Sequence, residues 1–559
     1  MEVGSNNIAE LLKYCEENGD APEYVVQDET YKMRKSSLFS QSLPVRTKPV
    51  KYTSEGEEIF VISDLHIASG RNDAGVYPGT ENFFADDSFK RFLQYAGRKK
   101  KTKNAMIIIN GDVFDFLRVT EYPGKVRKAR LSKRLKNLMK LDPIKTPALP
   151  SREVVENQFE EWNKELKKIG IKKPEEGLEN SITKRERKFG LGTEDYKTIY
   201  KLMLIKKGHP EFFEALGSWM ESGNKMVVVK GNHDLEIYWL AVRNYLRLII
   251  AENIYNSDNT DTLEKILIDT VLPNINFIDD SVEIDKDFYV EHGHRYDKFA
   301  MVLDRPKLEK NDKQLNIPFG SFFNRYILNR VELFYPFLDN VRPSTNVLPM
   351  LMKENFPLGL KILFQHIPLL LRVLTTNFRY LRFMMGKVLL FALALVLPIA
   401  ALTLVNLSSV TNFVNDFSEL IGASGIVGII IEQVQIIFMI FLAYILSRLV
   451  AWFQLSEPSS LVKFAKERIK GTEYDIISMG HTHNPSAYLF DDGKRFYNTG
   501  TWIPIIETST ATVRKDRTFT FLHLIRDNFG KLKPAYEGLL QRWNDDADRP
   551  EAFIILKRK

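Results

Sequence analysis

Aspartate, asparagine and histidine recur in this chain in short motifs. Asp64 and His66 stand in VISDLHI, Asp112 and Asp115 in INGDVFDF, and Asn232, His233 and Asp234 in VVVKGNHD. His292 and His294 follow in FYVEHGH, and His481 and His483 in SMGHTHNP. Carboxylate, amide and imidazole oxygens and nitrogens form a mixed donor set that suits a borderline cation such as Mn, Fe or Zn. The two oxygens of Asp112 could bridge a pair of cations. Asn232 offers a neutral amide oxygen, and His233 an imidazole able to act as acid or base near neutral pH. The chain has nine histidines. Those at 66, 233, 292, 294, 481 and 483 each follow a short apolar run, whereas His209, His366 and His523 do not and read as ordinary polar surface groups.

The apolar runs are the elements that must position these side chains. IFVIS, AMIIIN, MVVVKG, FYVEHG and YDIISMG are short, rich in β-branched residues, and end at polar or glycine-containing loops, so they are expected to be buried strands. Helical patterns around 88–98 and 210–222 alternate with them, which predicts a layered α/β fold flanked by helices. Ligands at the carboxyl ends of such strands lie where an open α/β sheet places its sites. After His483, the segments AYLF, KRFYNTG and TVRKDRTFTFLHL predict antiparallel strands that close a second sheet.

With 559 residues and 44% hydrophobic content, the chain can build a large core and more than one structural unit. Its single cysteine, Cys15, excludes an internal disulfide framework and a thiolate metal cage, and suits a reducing compartment. The N-terminal twenty or so residues lack the basic start and apolar run of a cleaved signal peptide. A net charge of +7 is too modest by itself to indicate a nucleic-acid or membrane partner. Residues 125–205 form a charged, helix-prone stretch that opens with Lys125, Arg127, Lys128, Arg130, Lys133, Arg134, Lys136 and Lys140. Its basic start is read either as a solvated helix face or as a patch that attracts phosphate or faces a membrane.

A second stretch, from about 300 to 470, is apolar. Residues 388–407 are uncharged and long enough to span a bilayer, with Pro398 as a kink. Residues 426–447 are the second expected span although they carry Glu432, Gln433 and Gln435. His292 precedes this stretch and His481 follows it, so if both serve one site the chain must return to the side it left. The loop between the spans has no Lys or Arg, whereas Lys361, Arg372, Arg379, Arg382 and Lys387 precede the hairpin and Arg448, Lys463, Lys466 and Arg468 follow it. This asymmetry predicts a cytoplasmic catalytic domain on an inner or plasma membrane. Residues 356–386 mix basic and apolar positions, as in an interfacial helix or a cap helix. The expected organisation is an N-terminal helix and linker over 1–57, an α/β domain over 58–299, a helical membrane insertion over 300–470, and the rest of the α/β domain over 471–559.

In their order, D-x-H, G-D-x-x-D, G-N-H-D, H-G-H and G-H-T-H, the motifs resemble the calcineurin-like metallophosphoesterase superfamily. The resemblance covers residues 58 to about 300 and 472 to about 525. It implies a two-sheet sandwich and two divalent cations, Mn in the first place with Fe or Zn as alternatives. It implies that Asp64, His66 and His483 bind one cation, that Asn232, His292 and His481 bind the other, and that Asp112 bridges them. His233 and Asp234 become the candidate catalytic residues, with His233 placed for transition-state stabilisation or protonation of the leaving oxygen. Asp115 is expected to orient a ligand or loop, and His294 to touch substrate phosphate or cap its loop.

G-D-V-F-D-F, E-H-G-H-R-Y-D, G-H-T-H-N-P and Y-N-T-G-T-W are similar to the UDP-2,3-diacylglucosamine diphosphatase branch, whose acyl-binding lid is inserted in the same interval as the apolar stretch here. That branch commonly has Arg where this chain has His233, and its lids are shorter and do not span the membrane. The resemblance implies hydrolysis of a phosphodiester or diphosphate bond, with a lipid-linked phosphate as substrate class and the bilayer as partner. The alternatives are a phosphodiesterase acting on soluble nucleotides and a non-catalytic membrane scaffold or sensor. The basic stretch has too little aromatic interleaving for a nucleic-acid channel.

Overall fold

The computed structural model describes residues 49–124, 150–332 and 461–559, with short breaks inside these stretches and a few positions outside them. The strands that build the body are β1 (Val50–Tyr52), β2 (Glu58–Ile62), β3 (Ala105–Asn110), β4 (Lys225–Val229), β5 (Ile275–Ile278), β6 (Ser281–Ile284) and β7 (Phe288–Glu291). They continue with β8 (Ile476–Met479), β9 (Ser486–Leu489), β10 (Arg495–Asn498), β11 (Thr520–Arg526), β12 (Leu532–Pro534), β13 (Leu540–Asn544), β14 (Arg549–Ile554) and β15 (Lys557–Arg558). The principal helices are α1 (Asp86–Lys99), α2 (Arg152–Lys168), α3 (Asp195–Gly208), α4 (Pro210–Glu221), α5 (Leu240–Tyr255) and α6 (Val462–Ile469).

These strands form two sheets. The first runs β14-β13-β11-β2-β3-β4-β5, with β12 also paired to β11, and the second runs β1-β6-β7-β8-β10-β9-β15. Strands β2 to β5 are parallel neighbours, in register at Ile59 with Met106 and at Ile108 with Val227. The side-chain period of two sorts their residues between faces. Ile59, Val61, Met106, Ile108, Val227 and Val229 meet Val282, Ile284, Phe288, Val290, Ile476 and Tyr497 of the second sheet. Phe60, Ile62, Ile107, Ile109, Met226 and Val228 point the other way, into a core shared with Phe89, Phe92, Phe212, Phe213 and Leu248 of α1, α4 and α5. Both faces of the first sheet are therefore buried, which is why its strands are continuous apolar runs rather than alternating ones. Helix α6 covers the far face of the second sheet through Val462, Ala465 and Ile469 against Tyr289, Ile477 and Phe496.

The expected strands at IFVIS, AMIIIN, MVVVKG, FYVEHG and YDIISMG and the helices around 88–98 and 210–222 are present, and the fold is a mixed α/β body with two sheets flanked by helices. One expectation is corrected. AYLF and KRFYNTG do pair antiparallel in the second sheet as β9 and β10, but TFTFLHL forms β11, which joins the first sheet antiparallel to β2. Its alternation places Leu522 and Leu524 between the sheets and Phe521 on the helical side, so it completes the first sheet's core rather than the second's.

Among its described residues the charged stretch supplies α2, α3 and a short helix, Glu186–Phe189, between them. α3 is buried along Ile199, Tyr200, Leu202 and Ile205, and Trp162 of α2 packs on Tyr200. The described ends of the 300–470 stretch also belong to the body: α6 is one, and a hairpin, Lys307–Leu308 with Asn311–Leu315, followed by helical turns to Glu332, is the other. Among the described residues no helix is long and apolar enough to cross a membrane. The expected spans at 388–407 and, apart from Gln433, 426–447, the interfacial stretch at 356–386, the basic run at 125–140, His366 and Cys15 lie outside the described residues.

Candidate metal centre

The loops after β2, β3 and β4 leave one edge of the first sheet together, because parallel strands put equivalent ends on the same side. β7 and β8 are parallel in the second sheet and deliver His292 and His481 to that same edge. Backbone bonds lock the loops to one another: Asp64 N donates to Gly111 O at 3.1 Å, His66 N to Asp112 O at 2.9 Å, and Gly480 N to His292 O at 2.9 Å. Asn110 bridges the sheets, its Nδ2 donating to Glu291 O at 3.0 Å and its carbonyl accepting from His292 Nδ1 at 2.8 Å. The Y-N-T-G-T-W segment closes the site from beneath. Thr501 Oγ1 donates to Asp64 O at 2.6 Å and Asn498 Nδ2 to Gly480 O at 2.8 Å.

The ligand backbones are themselves unusual. Asp64, His66, Asp112, His481 and His483 all have positive φ, between 49° and 68°, a region that non-glycine residues seldom occupy. Such conformations cost free energy and persist only where the surroundings impose them, and they collect at functional sites. Two glycines show how closely the motifs approach. A Cβ on Gly231 would overlap Asp112, and one on Gly480 would lie 2.5 Å from Asp64 Oδ2.

Three overlapping groups of side chains could each hold a cation: Asp64, His66 and His483; His66, Asp112 and His233; and Asp112, His292 and His481. Asp112 Oδ2 lies 3.1 Å from His292 Nε2 and 3.7 Å from His66 Nε2, between the outer two groups. Several buried atoms in the cluster, among them Asp64 Oδ1, Asn232 Oδ1 and His292 Nε2, have no hydrogen-bond partner. Buried polar atoms are ordinarily satisfied, and converging unsatisfied donors of this chemistry fit a cation. His481 Nε2 is 3.1 Å from Asp297 Oδ2, which leaves Nδ1 as its nitrogen for a metal.

The electrostatics agree with a site made for positive charge. Burial would raise the carboxyls of Asp64 and Asp112, but the imidazoles around them, His292 foremost, hold both well below the usual carboxylate range. Burial likewise opposes protonation of the imidazoles, yet the carboxylates of Asp115, Asp64 and Asp112 around it lift His66 to about 10, and the charges of Asp112 and Asp64 lift His292 to about 9. His294 behaves differently: burial, with His292 and His481 beside it, pushes its imidazole well below the ordinary value. It lies next to the cluster, its ring centroid 5.4 Å from that of His292, and its buried Nδ1 has no hydrogen-bond partner.

His233 is partly exposed at the mouth of this cluster, and its Nδ1 is 2.8 Å from Asp115 Oδ2. Burial lowers this imidazole, but the charges of Asp115 and Asp112 raise it to about 9. Asp234 does not partner it. The Asp234 carboxylate is buried and accepts from Gly231 N at 2.6 Å and Val113 N at 2.8 Å, tying the G-N-H-D loop to the G-D loop. Burial and the charge of Asp112 push its carboxyl up to about 7. The expectation of a catalytic Asp234 is thus replaced by a loop-tying role, and Asp115 takes the place beside His233.

Two further corrections concern histidines read as surface groups. His209 is fully buried, with Nδ1 2.9 Å from Asp86 Oδ1 and Nε2 3.3 Å from Glu81 Oε2. Glu81 in turn accepts from the backbone of Ala68 and Gly70, so His209 anchors the loop that follows His66. His523 stacks on Phe60 at 4.2 Å and bonds Glu58. Sequence reasoning also passed over Asp297 and Arg118. Asp297 closes the quoted H-G-H-R-Y-D motif, and Arg118 stands three residues beyond Asp115, in the turn closed by Arg118 N to Asp115 O at 3.0 Å.

Comparison with models of known families, with curated proteins and with solved structures gives no match to this chain.

Proposed function

We propose that this protein is a membrane-attached metallophosphoesterase that hydrolyses a phosphodiester or diphosphate bond. The observation that carries the reading is the position of Asp112, whose carboxylate belongs both to the group with His292 and His481 and to one with His66. A carboxylate shared in this way is suited to holding two divalent cations side by side. Asp64, His66 and His483 would complete one position, and Asn232, His292 and His481 the other. When bound, such a pair supplies Lewis acidity at the phosphoryl group and an activated water at neutral pH.

The remaining chemistry belongs to the chain. Asp115, an obligate acceptor when ionised, accepts a hydrogen bond from His233 Nδ1–H and thereby leaves Nε2 as the edge offered to substrate. The acidic surroundings keep that imidazole protonated at neutral pH, ready to stabilise the charge growing on phosphorus or to give its proton to the leaving oxygen. His294, held neutral beside the cluster, can contact a phosphate oxygen as a hydrogen-bond donor.

A lipid-linked substrate at the cytoplasmic membrane face is the favoured class, because the apolar stretch interrupts the α/β body between His292 and His481 and is flanked by basic residues. The complete ligand set argues against a scaffold that has lost its chemistry. The test is hydrolysis by the full chain in detergent, with Mn, of lipid diphosphates, phosphodiesters, soluble nucleotides and DNA. Turnover of lipid substrates ahead of soluble ones is expected. Preference for soluble nucleotides would transfer the site to that substrate class, and no turnover of any phosphate ester would remove the enzymatic reading.

A further inference from the structure

The helical turns Phe319–Phe323, Asn324–Leu328 and Asn329–Glu332 lie at the start of the stretch that separates the two parts of the α/β body. They contribute no residue to the metal cluster, yet they grip two of the loops that build it. Ser321 Oγ donates to the backbone carbonyl of Asn232 at 3.2 Å, and Asn329 Nδ2 donates to Leu117 O at 2.8 Å. At the end of the segment Glu332, fully buried, meets Arg118, also fully buried. Arg118 Nη2 donates to Glu332 Oε1 at 3.1 Å, and Nη1, 2.8 Å from Glu332 Oε2, also donates to Thr80 O at 3.1 Å. The other side of the same guanidinium faces the site: Arg118 Nε is 3.3 Å from Asp115 Oδ2, the very oxygen that accepts from His233 Nδ1.

We propose that Glu332 is a positioning residue for the hydrolysis: by holding Arg118 against Asp115 it fixes the carboxylate that orients His233. The inference rests on the phosphoesterase reading for its consequence in turnover, although not for its geometry. A buried carboxylate paired with one edge of a guanidinium helps set its plane, and that plane decides where Nε points. Glu332 and the carbonyl of Thr80 hold the two Nη groups, which leaves Nε directed at Asp115, the side chain that orients the candidate acid. The segment that leads toward the apolar stretch is thereby part of the catalytic arrangement.

The test compares the full-length protein with Glu332→Gln, which keeps shape and one acceptor, and with Glu332→Ala. Each is assayed with Mn on aryl phosphodiesters whose leaving groups are p-nitrophenol or phenol. Loss of His233 alignment should lower kcat for the phenyl ester by about 10-fold to 100-fold, with a smaller effect on the nitrophenyl ester, which needs little help from an acid. KM and bound Mn should be unchanged, as Glu332 touches neither ligand nor substrate. In protein labelled with 15N-histidine, the downfield Nδ1–H signal that is absent from His233→Ala should be shifted or lost in Glu332→Gln. A kcat within about twofold of wild type for both esters, with the protein folded, overturns the proposal. So does an equal fall for both esters accompanied by loss of Mn, which marks a purely structural pair. Should wild type cleave neither ester, the histidine signal alone decides whether Glu332 positions His233, and the phosphoesterase reading falls only if the lipid and nucleotide substrates are also left intact.

Discussion

His66 and His483 are 417 positions apart, and their Nε2 atoms lie 3.0 Å from each other. Both rings are buried, and two imidazolium ions could not share such a distance without strong repulsion. Their common neighbour Asp64 Oδ1, 3.3 Å from His483 Nε2 and 3.8 Å from His66 Nε2, turns the pair into three sides of one small polyhedron. Either one ring donates to the other or a cation lies among all three.

Metal content discriminates between these arrangements. Wild type should bind about two Mn per chain, His483→Ala about one, and Asp112→Ala about none, because only Asp112 belongs to both positions. Elemental analysis of the purified proteins checks this. Full occupancy in Asp112→Ala would remove the shared-carboxylate assignment.

His233 and Asp115 should separate from the ligands in the opposite sense. His233→Ala and Asp115→Asn are expected to keep Mn and lose about 10²-fold to 10⁴-fold in kcat, the scale of a general acid and its orientation. Asp234→Ala should instead cost about 1–3 kcal/mol of stability, since it strips the acceptor from the buried N–H groups of Gly231 and Val113. Urea unfolding measured beside the kinetics distinguishes the two behaviours.

His209 gives the fold a pH dependence whose sign is fixed by its surroundings. Burial disfavours its charge, but Asp86 and Glu81 outweigh burial and lift it to about 9 from 6.5. A raised folded-state value means that the imidazolium stabilises the native state fully below about pH 6.5 and progressively less as the pH rises through about 9. The contribution is on the order of 1–3 kcal/mol. His209→Gln should therefore trail wild type at pH 6 and approach it above pH 9. An equal gap in urea midpoint at both pH values would contradict the assignment.

The left-handed backbones of Asp64, His66, Asp112, His481 and His483 imply that the folded site is strained until a cation rewards it. Chelation of Mn should lower the melting temperature markedly. At free metal about 1,000-fold above its Kd the difference corresponds to roughly 4 kcal/mol. A melting temperature indifferent to chelator and to added Mn would show that no cation binds there.

Substitution of Gly231 or Gly480 by alanine tests the close packing of the motifs. Each new methyl would press on a ligand carboxylate, Asp112 in the first case and Asp64 in the second. Mn affinity should fall by about 10-fold to 100-fold while the body stays folded, as read by titration calorimetry and circular dichroism. Unchanged affinity in both would mean that the loops yield more readily than their hydrogen bonds imply.

The sequence by itself determined the strands of the body and the donor set at their ends. Short apolar β-branched runs bounded by turn signals read as strands buried on both faces, and a donor at the end of each parallel strand must emerge at one edge. Asp64, His66, Asp112, His292, His481 and His483 were legible for that reason. Partners that cross between elements were not legible. Asp234 follows His233 in the chain and invited pairing with it, but the sharp loop turns the two side chains apart, and Asp115, remote in sequence, meets the imidazole. His209 has the composition of a surface loop, and its burial between Asp86 and Glu81 arises from packing of α3 against the loop after β2. Glu332 carries no local signal at all. Period and composition record what each segment does to water, whereas the pairing of buried charges depends on distances that exist only after the two sheets and their connecting segments have closed on one another.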